Sequence, residues 1–417
     1  MTESRALVCS SCVEWLNDWV EADPPRFLDE YDLSQWMETS MTAATQTFIR
    51  YGFTSPRARN DAIQILRALF HEYYLFQQQL AHQHISPNLS AVGRLQSVQQ
   101  TSQKSAAWHA ESRELLTSHE FGAVCYGTDA RRASIVAKKC QPEMVLSGTG
   151  ESQPQRIVFT TLEDGTMSPL KWGWRFEPVS RMVFEQCISQ GSVFDGLGRI
   201  RHQTHPKLAA SPDGLILNGP RCGRLVEIKS PYSRELDGTI PLDYYCQMQL
   251  QAEVCDVEAV EYVEVKFKST PAASVTVDII TASKVPWIGT VCVVSPSDDA
   301  SVHTYTYEYS PLYPNTSEGL ANALAFAPVG IILETAVWYV QDMFHQTVPR
   351  NRVWWAQVGL PRTTEFWELV DAARMDGRYL QRSVSMWAGE SSADDADNEN
   401  DNADSAFNIN VKEEELK

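Results

Sequence analysis

A chain of 417 residues with 43% apolar side chains and twelve Trp can bury one large core with additions, or two cores. No basic stretch followed by an apolar one opens the sequence, and its longest uncharged apolar-leaning run, Gly319 to Leu333, is 15 residues and contains Pro328. A membrane-spanning helix needs about 20 residues, so the reading is a soluble protein without a secretory signal, and nine Cys in that setting read as reduced intracellular thiols. The net charge of −18 is unevenly spread: Ala388 to Lys417 carries ten acidic and two basic residues, whereas Thr101 to Thr270 carries 21 and 19. The middle of the chain is therefore close to neutral, and a nucleic-acid partner there is not excluded.

Residues 1–100 read as a helical amino-terminal region. Pro56 follows Thr54-Ser55, a helix start, and Ile63, Leu66, Phe70, Tyr73, Phe76 and Leu80 then recur every three or four residues. His71, His82 and His84 read as solvated helix positions, and Cys9-Ser-Ser-Cys12, which lacks a second pair, as thiols and not a zinc site. The stretch 86–104 is a polar linker.

From Trp108 to Gly122 a helix runs into a turn bearing Arg113, Thr117 and Ser118. An arginine fork beside hydroxyls is a means of gripping a terminal phosphate, and it is also what an ordinary helix end looks like. The stretch Cys140 to Met167 is polar and Gly-rich, a loop or insertion. In Lys171 to Glu185, Gly173 marks a helix entry and Pro178 its first turn. Glu177 and Arg181 are four apart and either pair with each other or, for Glu177, face a metal centre.

The densest signal is Leu208-Ala-Ala-Ser211-Pro-Asp213-Gly-Leu-Ile-Leu217, a turn, then Arg224-Leu-Val-Glu227-Ile228-Lys229. These runs predict two adjacent strands joined by a Gly- and Pro-rich turn. Alternation puts Glu227 and Lys229 on one face, and Asp213 opens the preceding strand. Two carboxylates beside an ammonium suit a hard divalent cation, usually Mg²⁺, with a lysine near the attacking water of a phosphodiester. Glu-x-Lys alone is cheap and occurs three times, at Glu227, Glu264 and Glu415. The first alone has the Ser-Pro-Asp-Gly turn ahead of it and a glutamine-rich helix behind it, so Glu264/Lys266 is set aside as a solvated strand pair. In that helix, Ile240 to Val254, Gln247 and Gln251 share a side with Tyr244. Arg131, Arg132, Lys138, Lys139, Arg199, Arg201, Arg221, Arg224 and Arg234 read either as a phosphate track or as scattered surface charge.

Glu258 to Phe267 alternates as a strand. Beyond it come a strand over Thr290 to Ser295, an aromatic alternation at Tyr305, Tyr307 and Tyr309, and helices near Ile331–Phe344 and Thr364–Tyr379. The tail from Ala388 is disordered by composition. The layout is thus a helical region over 1–100, an α/β core over 101–270, an α/β extension packed on it over 271–387, and the acidic tail over 388–417.

Five ordered segments, Trp108…Arg113…Ser118…Gly122, Gly173…Glu177-Pro…Arg181, His205-Pro…Ser211-Pro-Asp213-Gly, Glu227-Ile-Lys229-Ser-Pro and Tyr244-Tyr-Cys-Gln247-Met-Gln249, resemble the YqaJ-like viral recombinase family. That family includes phage lambda-type exonuclease, is related to viral alkaline exonucleases and has the PD-(D/E)xK restriction-endonuclease-like fold, a mixed central sheet flanked by helices. The resemblance implies an exonuclease acting 5′ to 3′ on linear duplex DNA, with two Mg²⁺ ions for which Mn²⁺ can substitute. Asp213, Glu227, the Ile228 carbonyl and Glu177 would hold metal, Lys229 would position or deprotonate water, and Gln247 would support it. Arg113, Ser118 and Ser211 would take the 5′-phosphate, with Arg181 and Gln249 as further DNA contacts. Double-stranded DNA ends, a single-strand annealing protein and an oligomer are the implied partners. A structure-specific endonuclease and a catalytically silent DNA-binding protein of the same fold remain as alternatives.

Overall fold

The computed structural model describes residues 85–140 apart from 104, 167–278, 285–295 and 305–376, with isolated positions between 55 and 64. The helix expected over 56–84, the Cys9/Cys12 pair, the 141–166 loop and the acidic tail lie outside the described residues.

Helix α1 (Leu89–Ser97) is started by Asn88, whose side chain accepts from Ala91 N. A short α2 (Ala106–Glu111) leads to β1 (Leu116–Thr117), α3 (Ser118–Tyr126) and α4 (Asp129–Cys140). At the start of α3 the Thr117 hydroxyl donates to Glu120 at 2.9 Å, and that residue's carboxylate accepts from the Thr117 N–H, so both ends of the first turn are satisfied.

Helix α5 (Pro169–Phe184) begins at Ser168-Pro169, with the Ser168 hydroxyl capping Lys171 N, five residues before the expected entry beyond Gly173. Pro178 consequently sits inside the helix. The helix is kept by burial of Trp172, Phe176, Val179 and Val183, which repeat along one face.

Next come β2 (Val193–Phe194), β3 (Ile200–Arg201), β4 (Leu208–Ala210), β5 (Gly214–Ile216) and β6 (Leu225–Lys229). The β5–β6 turn uses Gly219 and Gly223 at φ of 79° and 83°, a region other residues avoid. Helix α6 (Leu242–Cys255), β7 (Ala259–Pro271), β8 (Trp287–Ser295), β9 (Thr306–Tyr309), β10 (Tyr313–Pro314), α7 (Ser317–Leu324), β11 (Ile331–Pro349) and α8 (Leu360–Asp376) complete the order.

One mixed sheet organises these elements in the order β10–β8–β11–β7–β6–β5–β2, with β9 added on β8. Strands β6 and β7 are parallel, joined through α6, and the other pairs are antiparallel. On one face α5 packs on Val226, Ile228, Val263, Val265 and Trp338. On the other, α1, α3, α6 and α8 pack on Leu225, Val260, Tyr262 and Val348. This is the α/β fold class that the sequence predicts.

Three expectations change. The stretch 86–104, expected as a polar linker, contains α1, whose Ala91, Val92 and Leu95 are buried in the core. The helix expected near Ile331–Phe344 is the 19-residue strand β11, bonded to β8 on one side and β7 on the other. Ile331, Ile332, Thr335, Val337, Trp338, Tyr339 and Val340 favour a strand, and the successive buried residues Ala336, Val337 and Trp338 break the alternation that would have announced it. Because β8 and β11 belong to the same sheet as β6, residues beyond 270 widen the core sheet and are not a layer laid upon it.

A second, three-stranded sheet, β1–β4–β3, stands beside the first. The run Leu208–Leu217 holds two strands in two sheets, linked by Ser211-Pro212-Asp213, and Asp213 opens the strand beside β6 as the sequence predicts. The first half of the run pairs with β1 and the second with β6.

Candidate active site

The break between β4 and β5 puts Asp213 at the head of β5, against β6. Asp213 Oδ2 accepts the Ile228 N–H at 2.7 Å. Burial pushes the Asp213 carboxyl well above the usual carboxylate range, helped by the negative charges of Glu227 and Glu177, with Lys229 and the Ile228 N–H opposing. Three carboxylates thus feel one another at this spot.

Glu227, 1% exposed, is held from every side. Its Oε1 accepts Gln247 Nε2 at 2.7 Å and lies 2.9 Å from Lys229 Nζ, and its Oε2 accepts Gln251 Nε2 at 2.6 Å. Lys229 Nζ also approaches Gln247 Oε1 at 3.4 Å and sits 4.3 Å from the Tyr244 ring centre, a cation–π contact. One face of α6, bearing Tyr244, Gln247 and Gln251, therefore orients both the carboxylate and the ammonium.

Among the described residues, no group of three or more His, Cys, Asp or Glu side chains is already gathered closely enough to hold a metal ion. The donor set nevertheless fits a hard divalent cation. It is made of carboxylate oxygens, crowded enough to raise Asp213, beside the backbone of Ile228.

With the geometry in place, the chain can be set beside known proteins. Residues 107–258 match the YqaJ-like viral recombinase domain. An uncharacterized protein of Acanthamoeba polyphaga mimivirus is 29% identical over 110 residues, 22% of this chain and 19% of that protein, so the chain spans about a fifth of that relative. Two crystal structures of the alkaline exonuclease LHK-Exo from Laribacter hongkongensis, one with dAMP, align at 16% identity and a TM-score of 0.35 over 68% of this chain and all of theirs.

The remaining candidate residues fall into two groups. Ser118 and Ser211 both follow the ends of paired strands: parallel pairing sets Leu116 beside Leu208 and Thr117 beside Ala209, Ser118 then opens α3, and Ser211 lies just beyond β4. The Ser211 hydroxyl accepts the Trp108 indole N–H at 3.3 Å, and the Arg199 guanidinium lies 4.0 Å from the Trp108 ring centre. Arg113 is half-buried between α2 and β1, three residues ahead of Leu116.

The second group lies elsewhere. Gln249 is 2% exposed and braces the end of β11, donating to the Pro349 carbonyl and accepting from Asn351 N, so it does not face a DNA strand. Helical geometry explains this: Gln247 and Gln251 are one turn apart, and Gln249 points the other way. Arg181 pairs with Asp195.

Much of the supposed basic track is spoken for as well. Arg131 pairs with Asp243, Lys138 and Lys139 with Glu120, Arg201 with Glu111, and Arg221 and Arg224 with Glu261. Sequence reasoning passed over Tyr262 and set Glu264/Lys266 aside as a solvated strand pair, whereas Glu264 and Lys266 are both buried. Register sets Glu227 beside Tyr262 and Lys229 beside Glu264, so the second Glu-x-Lys stands on the same face one strand away.

Proposed function

We propose that the YqaJ-like domain is a metal-dependent deoxyribonuclease that digests linear duplex DNA from its 5′ ends. The observation that carries this reading is the Glu227 carboxylate, buried yet bonded to two amides and the Lys229 ammonium, beside the crowded carboxyl of Asp213. A structural ion pair does not call for a second and third carboxyl group at the same spot.

Asp213, Glu227, Glu177 and the Ile228 carbonyl are the residues that would hold Mg²⁺ or Mn²⁺. When bound, the metal would supply Lewis-acid stabilisation of charge on the phosphodiester oxygens. The protein's part is positional. Gln247 and Gln251 fix the carboxylate, leaving its charge directed at the cleft. Lys229, whose ammonium is braced between Glu227 and the Tyr244 ring, orients the attacking water and takes part in its deprotonation. Ser118 and Ser211, with Arg113, form the pocket for a terminal 5′-phosphate, which an internal phosphodiester fills less well.

Digestion of end-labelled linear duplex, bearing 5′-phosphate or 5′-hydroxyl ends, beside a closed duplex circle tests this reading. Shortening from phosphorylated ends with an intact circle supports it. Ready cutting of the circle would make the enzyme an endonuclease, and retained DNA binding without any cleavage would make it a silent binding protein.

A further inference from the structure

The second Glu-x-Lys is engaged by two consecutive residues of the segment that follows β6. Arg234 pairs with Glu264, and Glu235 pairs with Lys266, its Oε1 lying 2.5 Å from Nζ. Plus and minus on the segment meet minus and plus on the strand. The same segment is tied at its root by a 2.8 Å hydrogen bond between the Ser180 and Ser230 hydroxyls, and by Tyr232 against the Trp172 ring.

Glu264 is fully buried and takes the Tyr262 hydroxyl on Oε1. Its Oε2 has no hydrogen-bond partner among the described residues. A buried carboxylate in that condition draws any cation within reach, because leaving it uncompensated is costly. Two ammonium groups are within reach. Lys266 is two residues along the same face, and Lys229 is the register partner of Glu264 on β6, about 4.8 Å away between strands. Glu235 holds Lys266. Arg234 meets the charge of Glu264, while Lys229 lies 2.9 Å from Glu227 Oε1 and against the Tyr244 ring.

We propose that Arg234 is a positioning residue for the cleavage reaction: by neutralising Glu264 it leaves the Lys229 ammonium at Glu227, where the water is handled. This rests on the nuclease reading above. The role is electrostatic and indirect, distinct from a contact between Arg234 and DNA. Both roles lose activity when Arg234 is removed, but only a positioning role is rescued by removing the competing carboxylate as well.

The test is steady-state cleavage of linear duplex by the full chain, its Arg234→Ala variant and the Arg234→Ala/Glu264→Gln double variant. Crystal structures of all three give the Lys229 Nζ position. Arg234→Ala should lower kcat at least about tenfold with KM within about twofold, and the double variant should recover to within about threefold of the parent. In the structures, Lys229 Nζ should lie at Glu264 in the single variant and at Glu227 in the double. A double variant as slow as the single, or Lys229 unmoved in Arg234→Ala, would overturn the proposal. If the parent cuts no DNA, the nuclease reading falls, and the Lys229 displacement still decides whether Arg234 controls the ammonium.

Discussion

The Ile228 N–H donates to Asp213 Oδ2 at 2.7 Å, so the residue between the glutamate and the lysine of β6 holds the aspartate at the head of β5. The bond fixes the carboxyl against the strand carrying Glu227 and Lys229 on its other face. It also explains why a turn and two short strands suffice to assemble groups fourteen and sixteen positions apart.

Substitution of these three groups should separate catalysis from folding. Asp213→Asn, Glu227→Gln and Lys229→Ala are each expected to lower kcat on linear duplex by about a hundredfold or more. Far-ultraviolet circular dichroism should stay that of the parent for Asp213→Asn and Lys229→Ala. Glu227→Gln should also cost about 1–3 kcal/mol of stability, because an amide cannot accept from Gln247 and Gln251 on both sides. A variant retaining a tenth or more of parental kcat would remove that residue from the catalytic set.

Metal should show itself without any turnover. Mg²⁺ or Mn²⁺ bound by Asp213, Glu227 and Glu177 relieves repulsion among them and binds only the folded chain, so Tm should rise with metal concentration. The rise should vanish in Asp213→Asn, and cleavage should stop in excess chelator. Equal metal-induced shifts in parent and Asp213→Asn would place the ion elsewhere.

Polarity should depend on Arg113. The parent is expected to digest 5′-phosphorylated duplex at least about tenfold faster than 5′-hydroxyl duplex, a difference of the size one charged contact supplies. Arg113→Ala should lose most of that preference while still cutting slowly. An undiminished preference in the variant would assign the pocket to other side chains.

A fourth expectation concerns stability in acid. Burial acts to raise the Glu261 carboxyl, but His345, Thr347 and Arg224 outweigh it and hold it down to about 2. His345 Nε2 lies 2.6 Å from one oxygen, which also accepts the Thr347 hydroxyl at 2.8 Å, and Arg224 donates to the other at 2.8 Å. A depressed carboxyl stabilises the fold above its unfolded value, about 4.3, and that contribution is lost as pH falls towards 2. Glu261→Gln should therefore cost about 3 kcal/mol at pH 7, and the difference from the parent should shrink as the acid is strengthened. Urea unfolding at several pH values reads this directly, and a constant difference from pH 7 to pH 3 would count against it.

The site was legible where chemistry follows local periodicity. Alternation on β6 put Glu227 and Lys229 together, and helical spacing on α6 put Gln247 and Gln251 with Tyr244. Gln249 is the counterexample, since the same spacing rule turns it away. The start of α5 was missed because Ser168-Pro169, a cap and a first-turn proline, competed with the more conspicuous Gly173 and Pro178. Strand β11 was hidden because Ala336, Val337 and Trp338 are apolar and buried in succession, which interrupts the alternation of a half-buried strand. No local signal encodes the register that brings Glu264 beside Lys229, because it is fixed only when two strands joined through α6 align.

The placement of β7 has a consequence for the nascent chain. Its far edge is closed by β11, whose paired residues are made about 65 to 90 residues later. At roughly 5–20 residues per second, that edge stays open for several seconds at least, the circumstance in which strands of neighbouring chains pair wrongly. Glu261, Glu264, Lys266 and Lys268 interrupt the apolar run of β7 throughout that interval. Three of them end up buried and paired in the mature fold, and before that they act as gatekeepers that keep an unfinished sheet from aggregating on the ribosome.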